Sequence, residues 1–599
     1  MRLKNIKNLF LILTVYFLFN LQPLTSQKIP SLKTDPENLL WWKEATFGLF
    51  IHWGVYSRLA GTWEDSTYSG YAEHIFRMAQ IPIERYKNEV AANFNPVKFN
   101  AEEWVKIAKG AGMNYIVITA KHHDGFAMWD SKVPGWGDDY DVKDATPFNR
   151  DPMAELKKAC DKHGVKLGFY YSHAQDWSHP YGQRNTWDYK HPTERGKWHK
   201  DPNWSEHLEN SLKYVYEKSI PQLKELITNY NPSIIWFDTR DWLPEEYNRI
   251  IVSEVRKIAP DVIFNSRSSI KSKDYKTTAD RPDEFPPYPT YWEAIPTTNE
   301  SYGYHPGDTS HKPASHFIKL LSKSSARGGN LLLNVGPMGN GEIDPTDVNI
   351  LSEIGEWMQV NGEAIYGDKR TTLPVNAWGE STMSGDKLYL HVFKWPKDGK
   401  LVVGGLLSKV EKAYLLSDKK KRSLDTKVLD EKTLIINVPQ KAPHEIVSMI
   451  VLDCEGEEVE TDPVRLLSSK SIANKLHVFD GSLVGDKISY GSGSHKNNHI
   501  NKWSINEGFV KWNVRSNKEV TYNVFISYNA PKESDKNEYI VEIGKEKIKG
   551  KVISEIKYKP IKLGQVKIEK GEMEIAVKPI AIKGDVLMNL RSVILEPIN

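Results

Sequence analysis

The central part of the chain alternates between short apolar runs and segments with helical periodicity. The apolar runs are rich in Ile, Val, Leu, Phe and Tyr and lack strict alternation, which is typical of parallel strands buried on both faces. Strands are predicted at 48–53, 115–119, 166–172, 233–238, 262–267 and 330–335. Helices are predicted between them at 101–111, 153–164, 205–229, 245–258 and 314–326. Repeated strand–helix units of this kind predict an α/β fold with a parallel sheet.

A barrel is favoured over a dinucleotide-binding fold for this region. The alternation extends over more than 300 residues, and no glycine-rich dinucleotide motif follows the first strand. We therefore predict a (β/α)8-like (TIM) barrel as the catalytic domain, at 27–366.

After Tyr366 the pattern changes to short, turn-bounded, strand-like segments at 388–393, 400–405, 434–438 and 446–452. They predict an antiparallel β-sandwich at 367–455. Similar segments at 511–514, 520–527, 539–543 and 576–579 predict a further C-terminal β-rich domain at 456–599. That domain is either a carbohydrate-binding module or packing support, and its sparse aromatic residues favour the second role.

The first 26 residues have the organisation of a secretory signal peptide. Arg2, Lys4 and Lys7 precede a 13-residue apolar run at 9–21, and small polar residues follow at Thr25 and Ser26. The run is shorter than the roughly 20 residues of a membrane span. We expect export to the periplasm or the extracellular space, with an uncleaved anchor as the alternative.

Charge and cysteine content exclude several classes of function. The 80 basic and 77 acidic residues leave a net charge of +3, which gives no electrostatic case for binding nucleic acid or an anionic membrane. The two cysteines, Cys160 and Cys454, are too few for a disulfide framework or a cysteine metal site. We expect both to be buried.

Polar residues cluster where the predicted strands end, which is where barrels carry their functional side chains. His52 ends the first strand, and Arg267 ends the fifth. Asp238 follows four consecutive apolar residues and therefore lies at the rim of the core. Two interpretations of Asp238 remain open from the pattern alone: a catalytic nucleophile, or an ion-pair partner of Arg240 or Arg267.

The run His122-His123-Asp124 allows a metal site, a buried structural histidine or a sugar-binding site. Neighbouring residues on an extended chain point in opposite directions, and no HExxH motif is present, so a metal is disfavoured. Neutral imidazole offers one donor and one acceptor, which suits sugar hydroxyls. Tryptophans near the strand ends provide aromatic platforms for sugar rings or simply pack the barrel; they are Trp53, Trp63, Trp129, Trp177, Trp236 and Trp242.

The motifs FGLFIHWG, KHHDGF, GFYYS, WFD, NSR, TYWEAIPTTNESYGY and RGGNLLLNVGP occur in this order. Their order and separation resemble glycoside hydrolase family 29, the α-L-fucosidases, over roughly residues 40–370. The resemblance implies a retaining two-step mechanism, which requires two carboxyl groups about 5–5.5 Å apart. No cofactor or metal is expected, because hydrolysis of this kind needs only carboxyl groups and water. The resemblance assigns the nucleophile to Asp238.

The resemblance also assigns residues that line a monosaccharide pocket. Hydrogen bonds to the sugar are expected from His52, Glu73, His122 and His123. Tyr171 and Trp236 are expected to flank the ring. Arg267 is expected near the nucleophile, where its charge lowers a carboxyl pKa.

One departure from the family pattern concerns the sugar. The family carries a Glu-Trp pair where this chain has Glu73-His74. An imidazole in place of an indole opens space and adds a polar group, so L-galactose or a sulfated sugar becomes an alternative to L-fucose. A tryptophan from another loop, such as Trp63, is the competing way to fill the gap.

The second departure concerns the acid/base residue, which related sequences place as the Glu of a D-[FY]-x-T-x-E segment. Here the corresponding run is Asp274-Tyr275-Lys276-Thr277-Thr278-Ala279-Asp280. Asp280 nearly fits the spacing, whereas Glu284 fits the residue type after a short insertion. Glu293 is a third candidate. We prefer Glu284 on the sequence alone.

The sequence therefore predicts an exo-acting retaining hydrolase that releases terminal α-L-fucose from an oligosaccharide or polysaccharide. An α-L-galactosidase or sulfated-fucoside hydrolase on the same fold is the alternative. A non-catalytic sugar-binding relic is a further alternative, disfavoured because Asp238 and several acid/base candidates are present. The sequence makes no prediction about the oligomeric state.

Overall fold

The computed structural model describes residues 33–134, 140–192, 203–367, 369–470, 472–554 and 558–598. The predicted signal peptide at 1–26 lies outside the described residues. No helix of the described ranges is both long and apolar enough to cross a membrane.

Eight parallel strands form a curled sheet in the order β5-β4-β3-β2-β1-β8-β7-β6. We number them along the chain as β1 (Phe47–Ile51), β2 (Tyr115–Lys121), β3 (Lys166–Tyr171), β4 (Ile234–Phe237), β5 (Ile263–Phe264), β6 (Lys276–Asp280), β7 (Trp292–Ile295) and β8 (Gly329–Val335). The predicted (β/α)8-like fold class is confirmed. Strand β5 is much shorter than predicted, and β6 and β7 were missed because their sequences, KTTAD and WEAI, are short and partly polar.

The main helices of this part are α1 (Ala101–Gly110), α2 (Pro152–His163), α3 (Trp204–Tyr214), α4 (Ile220–Tyr230), α5 (Glu245–Ile258), α6 (Ala314–Ala326) and α7 (Pro345–Asn361). Side chains of Asn100 and Asp151 cap α1 and α2 by accepting backbone N–H bonds. The helix predicted at 205–229 is confirmed as a continuous helical segment, in which a π-helical stretch at Val215–Ser219 separates α3 from α4. Shorter helices lie at Leu40–Ala45, Tyr56–Leu59, Ile75–Met78 and Ile83–Arg85.

Successive residues of the barrel strands face opposite sides, as strand geometry requires. Phe50, Tyr170 and Trp236 belong to the inner core of the barrel. Their neighbours, among them Tyr171 and Phe237, belong to the core between the strands and the helices. Side chains facing inward near the strand ends can therefore reach a cavity there, whereas their immediate neighbours cannot.

The strand ladder is not continuous around the barrel, because β5 and β6 stand at the two ends of the strand order. We call the line between them the seam. A few separate hydrogen bonds cross it, including Asp274 N to Phe264 O at 2.9 Å and Thr277 N to Ser266 Oγ at 3.0 Å. Strand β6 therefore has a ladder partner on one side only, which is β7.

Two antiparallel sheets follow the barrel. One contains β9 (Gly379–Ser384), β10 (Lys387–Val392), β12 (Val410–Leu415) and β15 (Ser448–Cys454). The other contains β11 (Lys400–Gly404), β13 (Thr426–Asp430) and β14 (Thr433–Asn437). Cys160 in α2 and Cys454 in β15 are both buried and free, as expected.

The C-terminal β region has its own hydrophobic core. One of its sheets contains β16 (Arg465–Leu466), β18 (Ser482–Val484), β21 (Phe509–Ser516), β23 (Glu538–Ile543), β24 (Glu546–Lys551) and β26 (Gly571–Ala581). A second contains β17 (Asn474–His477), β22 (Val520–Asn529), β25 (Pro560–Ile568) and β27 (Asn589–Pro597). A small hairpin, β19 (Ser489–Tyr490) with β20 (Ile500–Asn501), projects a tip at 491–499.

Candidate active site

A cavity of about 800 Å³ opens at the carboxyl ends of the barrel strands. Its floor includes Phe50, Trp236 and Ile295 from the inner core. Of the residues predicted for the site, the cavity is lined by His52, Glu73, His74, His122, His123, Trp236, Asp238, Arg267 and Asp280. Tyr171 and Glu284 are not among its lining residues.

Asp238 follows directly after β4. Its carboxylate accepts hydrogen bonds from three groups: the side chains of Tyr170 and Arg267 and the backbone N–H of Thr239. Tyr170 donates a hydrogen bond of 2.9 Å to Oδ2, and Arg267 Nη1 lies 2.9 Å from Oδ1. Nε2 of His123 lies 3.7 Å from Oδ2. The ion-pair interpretation and the nucleophile interpretation are thus compatible, since Asp238 is paired with Arg267 and still lines the cavity.

Arg267 bridges two carboxylates. Its Nη1 contacts Asp238, and its Nη2 lies 2.5 Å from Oδ1 of Asp280 at the end of β6. One guanidinium therefore holds two carboxyl groups at the same cavity, and a pair of carboxyl groups is what a retaining glycosidase uses. Burial raises the pKa of Asp280, but the charge of Arg267 and its hydrogen bond outweigh burial, so that the pKa lies below its ordinary value.

The preference for Glu284 as the acid/base residue is corrected by its position. Glu284 forms an ion pair with Lys323 of α6, with Nζ–O distances of 2.7 and 2.9 Å. Burial raises the pKa of Glu284, but the charges of Lys323, His477 and Arg327 outweigh it and hold the pKa well below its usual range. Glu284 therefore does not line the cavity, whereas Asp280 does.

Glu293, the third candidate, lies behind the cavity wall. It is fully buried and accepts hydrogen bonds from Tyr115 at 2.8 Å and from Trp236 Nε1 at 3.0 Å. Burial raises its pKa to about 7. Its contacts orient the Trp236 ring, which is a structural role.

The prediction of Tyr171 as a sugar-flanking residue is wrong by one position. Tyr171 faces the helices and donates a hydrogen bond of 2.9 Å to Gln222. Tyr170 faces the cavity instead, with its ring stacked on Trp236 at 5.5 Å between centroids. These two rings are register neighbours on β3 and β4 and therefore share a face of the sheet.

Two histidines present acceptor nitrogens to the cavity. The amide of Asn334 donates to Tyr302 O, so its oxygen accepts from Nδ1 of His52 at 2.6 Å. Ser172 donates to Gln175 O and accepts from Nδ1 of His123 at 2.6 Å. Burial lowers the pKa of both imidazoles, to about 4 for His52. Neutral rings held in this tautomer suit hydroxyl groups that donate.

His122 and His123 follow the end of β2, where the chain is no longer extended, and their rings lie 4.2 Å apart between centroids. The expectation that they point in opposite directions is therefore wrong. Ligand atoms of His74, His122 and His123 lie within 4.8 Å of one another, which is compatible with a shared cation. The same three imidazoles line the cavity, where hydroxyl groups are equally suitable partners.

Glu73 and His74 lie side by side on the cavity wall. Glu73 accepts a hydrogen bond of 2.7 Å from Gly303 N, and burial raises its pKa to about 7. Burial, followed by the charges of Arg77 and Arg184, lowers the pKa of His74 to about 3. Trp63 does not line the cavity and packs against Arg85, so it does not replace the indole missing at position 74.

The KHHDGF motif is supported by a buried charge cluster. Lys121 Nζ lies 3.3 Å from Asp176, and Lys218 lies 2.8 Å from the same carboxylate. Gly125 has a φ of +77°, and a Cβ there would lie 2.0 Å from Asp176 Oδ1, so only glycine fits. These contacts fix the turn that presents His122 and His123.

Several cavity residues were missed from the sequence. Tyr302 donates to Ile295 O at 2.7 Å and lies 5.0 Å from the His52 ring. The SYGY motif that contains Tyr302 was the available signal. Arg184 and Asp241 line the outer side of the cavity and were also missed. Arg240 and Trp242, both considered in the sequence analysis, line the same side.

Comparison with known proteins places these features in a family. The family model described as alpha-L-fucosidase matches residues 23–363. Tissue α-L-fucosidase of Rattus norvegicus is 31% identical over 402 residues, which cover 62% of this chain and 79% of that protein. Plasma α-L-fucosidase of Homo sapiens is 28% identical over 434 residues, which cover 68% of this chain and 87% of that protein.

Solved structures agree with this result. An α-L-fucosidase from Vibrio sp. strain EJY3 superimposes with a TM-score of 0.77 at 28% identity, covering 94% of this chain and 99% of that one. A trapped covalent intermediate of an α-L-fucosidase from Bacteroides thetaiotaomicron gives a TM-score of 0.62 at 28% identity. The match covers 72% of this chain and 99% of that one. With the family model matching more than half of its length, the chain belongs to glycoside hydrolase family 29, the α-L-fucosidases.

Proposed function

We propose that this glycosidase is a retaining exo-α-L-fucosidase in which Asp238 is the nucleophile and Asp280 the acid/base. The observation that carries the proposal is Arg267, which contacts both carboxylates at the mouth of the barrel. The covalent intermediate trapped in the Bacteroides thetaiotaomicron relative supports a two-step mechanism.

In the first step Asp238 attacks the anomeric carbon, and protonated Asp280 gives its proton to the leaving oxygen. Esterification removes the charge of Asp238, so Arg267 then acts on Asp280 alone and lowers its pKa further. The ionised Asp280 accepts a proton from water in the second step. Water attacks the anomeric carbon, Asp238 leaves as carboxylate, and free sugar is released.

The cavity supports removal of a terminal sugar. Its floor is closed by the packed barrel interior, including Phe50 and Trp236, so a sugar enters from the strand-end side. The acceptor nitrogens of His52 and His123, together with Glu73, would bind its hydroxyl groups.

The test is hydrolysis of an aryl α-L-fucoside, with the anomer of the first product read by NMR. Asp238→Ala should lose on the order of 10³-fold or more in kcat. Asp241→Asn, which alters a carboxylate on the rim of the same cavity, is the matched control and should keep most activity. Full activity in Asp238→Ala, or release of the inverted anomer, would refute the assignment.

An α-L-galactoside is the second candidate substrate, because His74 leaves space and a polar group where the family has indole. His74→Trp should lower kcat/KM for an aryl α-L-galactoside relative to the fucoside by about tenfold. Trp63→Phe, outside the cavity, should leave the ratio unchanged. Equal ratios in wild type and His74→Trp would exclude His74 as the selecting residue.

We also propose that the enzyme is exported, on the basis of the signal-peptide pattern at 1–26. Export places it where polymeric glycans occur. Cell fractionation and N-terminal sequencing of the mature protein test this, and an intact cytosolic N-terminus would contradict it.

A further inference from the structure

We propose that the C-terminal β region holds the acid/base segment in place, through the hairpin tip at 491–499. The inference rests on the assignment of Asp280 in the proposed function. It gives the region 456–599 a part in catalysis that is independent of any sugar binding by that region.

The contact is made by the backbone directly after Asp280. Asp283 N and Glu284 N both donate to Gly493 O, at 2.9 and 3.1 Å. Pro282 and Ser494 form an antiparallel bridge. The tip is closed by two backbone hydrogen bonds of its own, from Gly493 N to Asn497 O at 2.9 Å and from Asn497 N to Ser494 O at 2.8 Å.

Gly493 is specifically required at this contact. Its φ of +90° lies in the left-handed region, and a Cβ there would lie 2.2 Å from Glu284 O. Any side chain at position 493 therefore pushes the tip and the 282–284 segment apart. Gly493 is a positioning residue, since it does not touch the cavity.

Charged side chains reinforce the same junction. Glu284 is anchored to Lys323 of α6 by an ion pair of 2.7 Å. Arg327, at the end of α6, lies 2.9 Å from Asp480 of the C-terminal β region. The junction is thus built from the barrel, the acid/base segment and the C-terminal β region together.

The position of β6 explains why support is needed there. Strand β6 borders the seam and pairs with β7 alone, so its end is held by a ladder on one side only. General acid–base catalysis contributes about 10²- to 10⁴-fold and depends on hydrogen-bond geometry to the leaving oxygen. A displacement of Asp280 would therefore impair proton transfer while leaving Asp238 in place.

The experiment compares two substrates in the full-length enzyme. An aryl α-L-fucoside with a highly activated leaving group needs little acid assistance, whereas a fucosyl disaccharide needs it. Gly493→Ala should lose about tenfold or more in kcat/KM on the disaccharide and stay within about twofold on the aryl substrate. Gly544→Ala is the matched control, because Gly544 is also left-handed, with a φ of +58°, but a Cβ there meets nothing closer than 3.6 Å.

Amide hydrogen exchange provides a second measurement that does not depend on activity. In Gly493→Ala the amides of Asp283 and Glu284 should exchange about tenfold faster or more, and in Gly544→Ala they should not change. If Gly493→Ala does not fold, Lys323→Met, which removes the other anchor of Glu284, should give the same substrate-selective loss.

Equal losses on both substrates, or unchanged exchange at positions 283 and 284, would overturn the inference. Failure of the wild-type enzyme to cleave either fucoside would instead refute the proposed function. In that case the exchange data alone decide whether the hairpin tip holds this segment.

Discussion

The phenol of Tyr170 lies 2.9 Å from Oδ2 of Asp238 and donates a hydrogen bond to it, whereas Tyr171, the next residue, bonds Gln222 among the helices. This pair offers an internal control. Tyr170→Phe removes a donor to the nucleophile, and we expect kcat to fall about 10- to 100-fold. Tyr171→Phe removes a similar hydroxyl away from the cavity and should leave kcat unchanged. Steady-state kinetics on an aryl α-L-fucoside would show the difference, and equal effects would contradict the assigned orientations.

Asp280→Ala should separate the two catalytic steps. The variant should retain much of its rate on substrates with activated leaving groups in the first step, and azide should restore turnover by replacing water in the second. Asp283→Asn is the control, because its carboxylate lies 3.8 Å from His316 and outside the cavity. NMR of the fucosyl azide identifies the residue's role. The α anomer, with retained configuration, indicates the acid/base, and the β anomer, with inverted configuration, indicates the nucleophile. Absence of rescue, with full activity on a disaccharide, would remove Asp280 from the mechanism.

Replacing Arg267 should change the pH profile. Arg267 lowers the pKa of Asp280, so the protonated form that the first step needs is lost at a lower pH than for an ordinary carboxyl group. In Arg267→Lys the bridge to both carboxylates is lost, and the pKa of Asp280 should rise. The alkaline limb of kcat/KM should then move to higher pH, with a lower maximum. An unchanged limb would show that another group controls it.

Burial of Glu73 predicts a pH-dependent stability difference. Its pKa is raised from 4.5 to about 7, so the folded state holds the proton more tightly than the unfolded state. The stabilisation of the folded state by this proton is fully present below about pH 4.5 and is lost as the pH rises through about 7. The wild type should lose this stability between pH 5 and pH 8, whereas Glu73→Gln has no such group to titrate. The unfolding free energy of Glu73→Gln minus that of the wild type should therefore rise by about 1–3 kcal/mol from pH 5 to pH 8. Denaturant melts at both pH values test this, and parallel changes in both proteins would contradict it.

Sequence patterns were sufficient to predict the barrel and most of the residues at its strand ends. Long apolar strands and the polar residues that follow them can be recognised from local residue order. Which of Tyr170 and Tyr171 faces the cavity could not be predicted from the local sequence, because it depends on the register with Trp236 on the adjacent strand. Strand β6 was missed because its residues, KTTAD, combine polar and small side chains beside the seam.

The position of Glu284 outside the cavity could not be predicted for a related reason. Glu284 matches the residue type of the family motif, but its ion pair with Lys323 and its contact with Gly493 come from parts of the chain distant in sequence. The closeness of the His122 and His123 rings was likewise hidden, because it follows from a turn stabilised by Gly125 and Asp176.

The seam also has a consequence for how such a sequence can change over evolution. Inserting a residue into a strand with ladders on both sides shifts every side chain beyond it to the opposite face. Between β5 and β6 only separate hydrogen bonds join the two segments, so the chain there can gain or lose residues without disturbing a register. The connection between β5 and β6, at 265–275, is therefore free to vary in length, whereas β6 itself keeps its register with β7. The number of residues between the fifth strand and the proposed proton donor is thus a poor guide to the donor's identity.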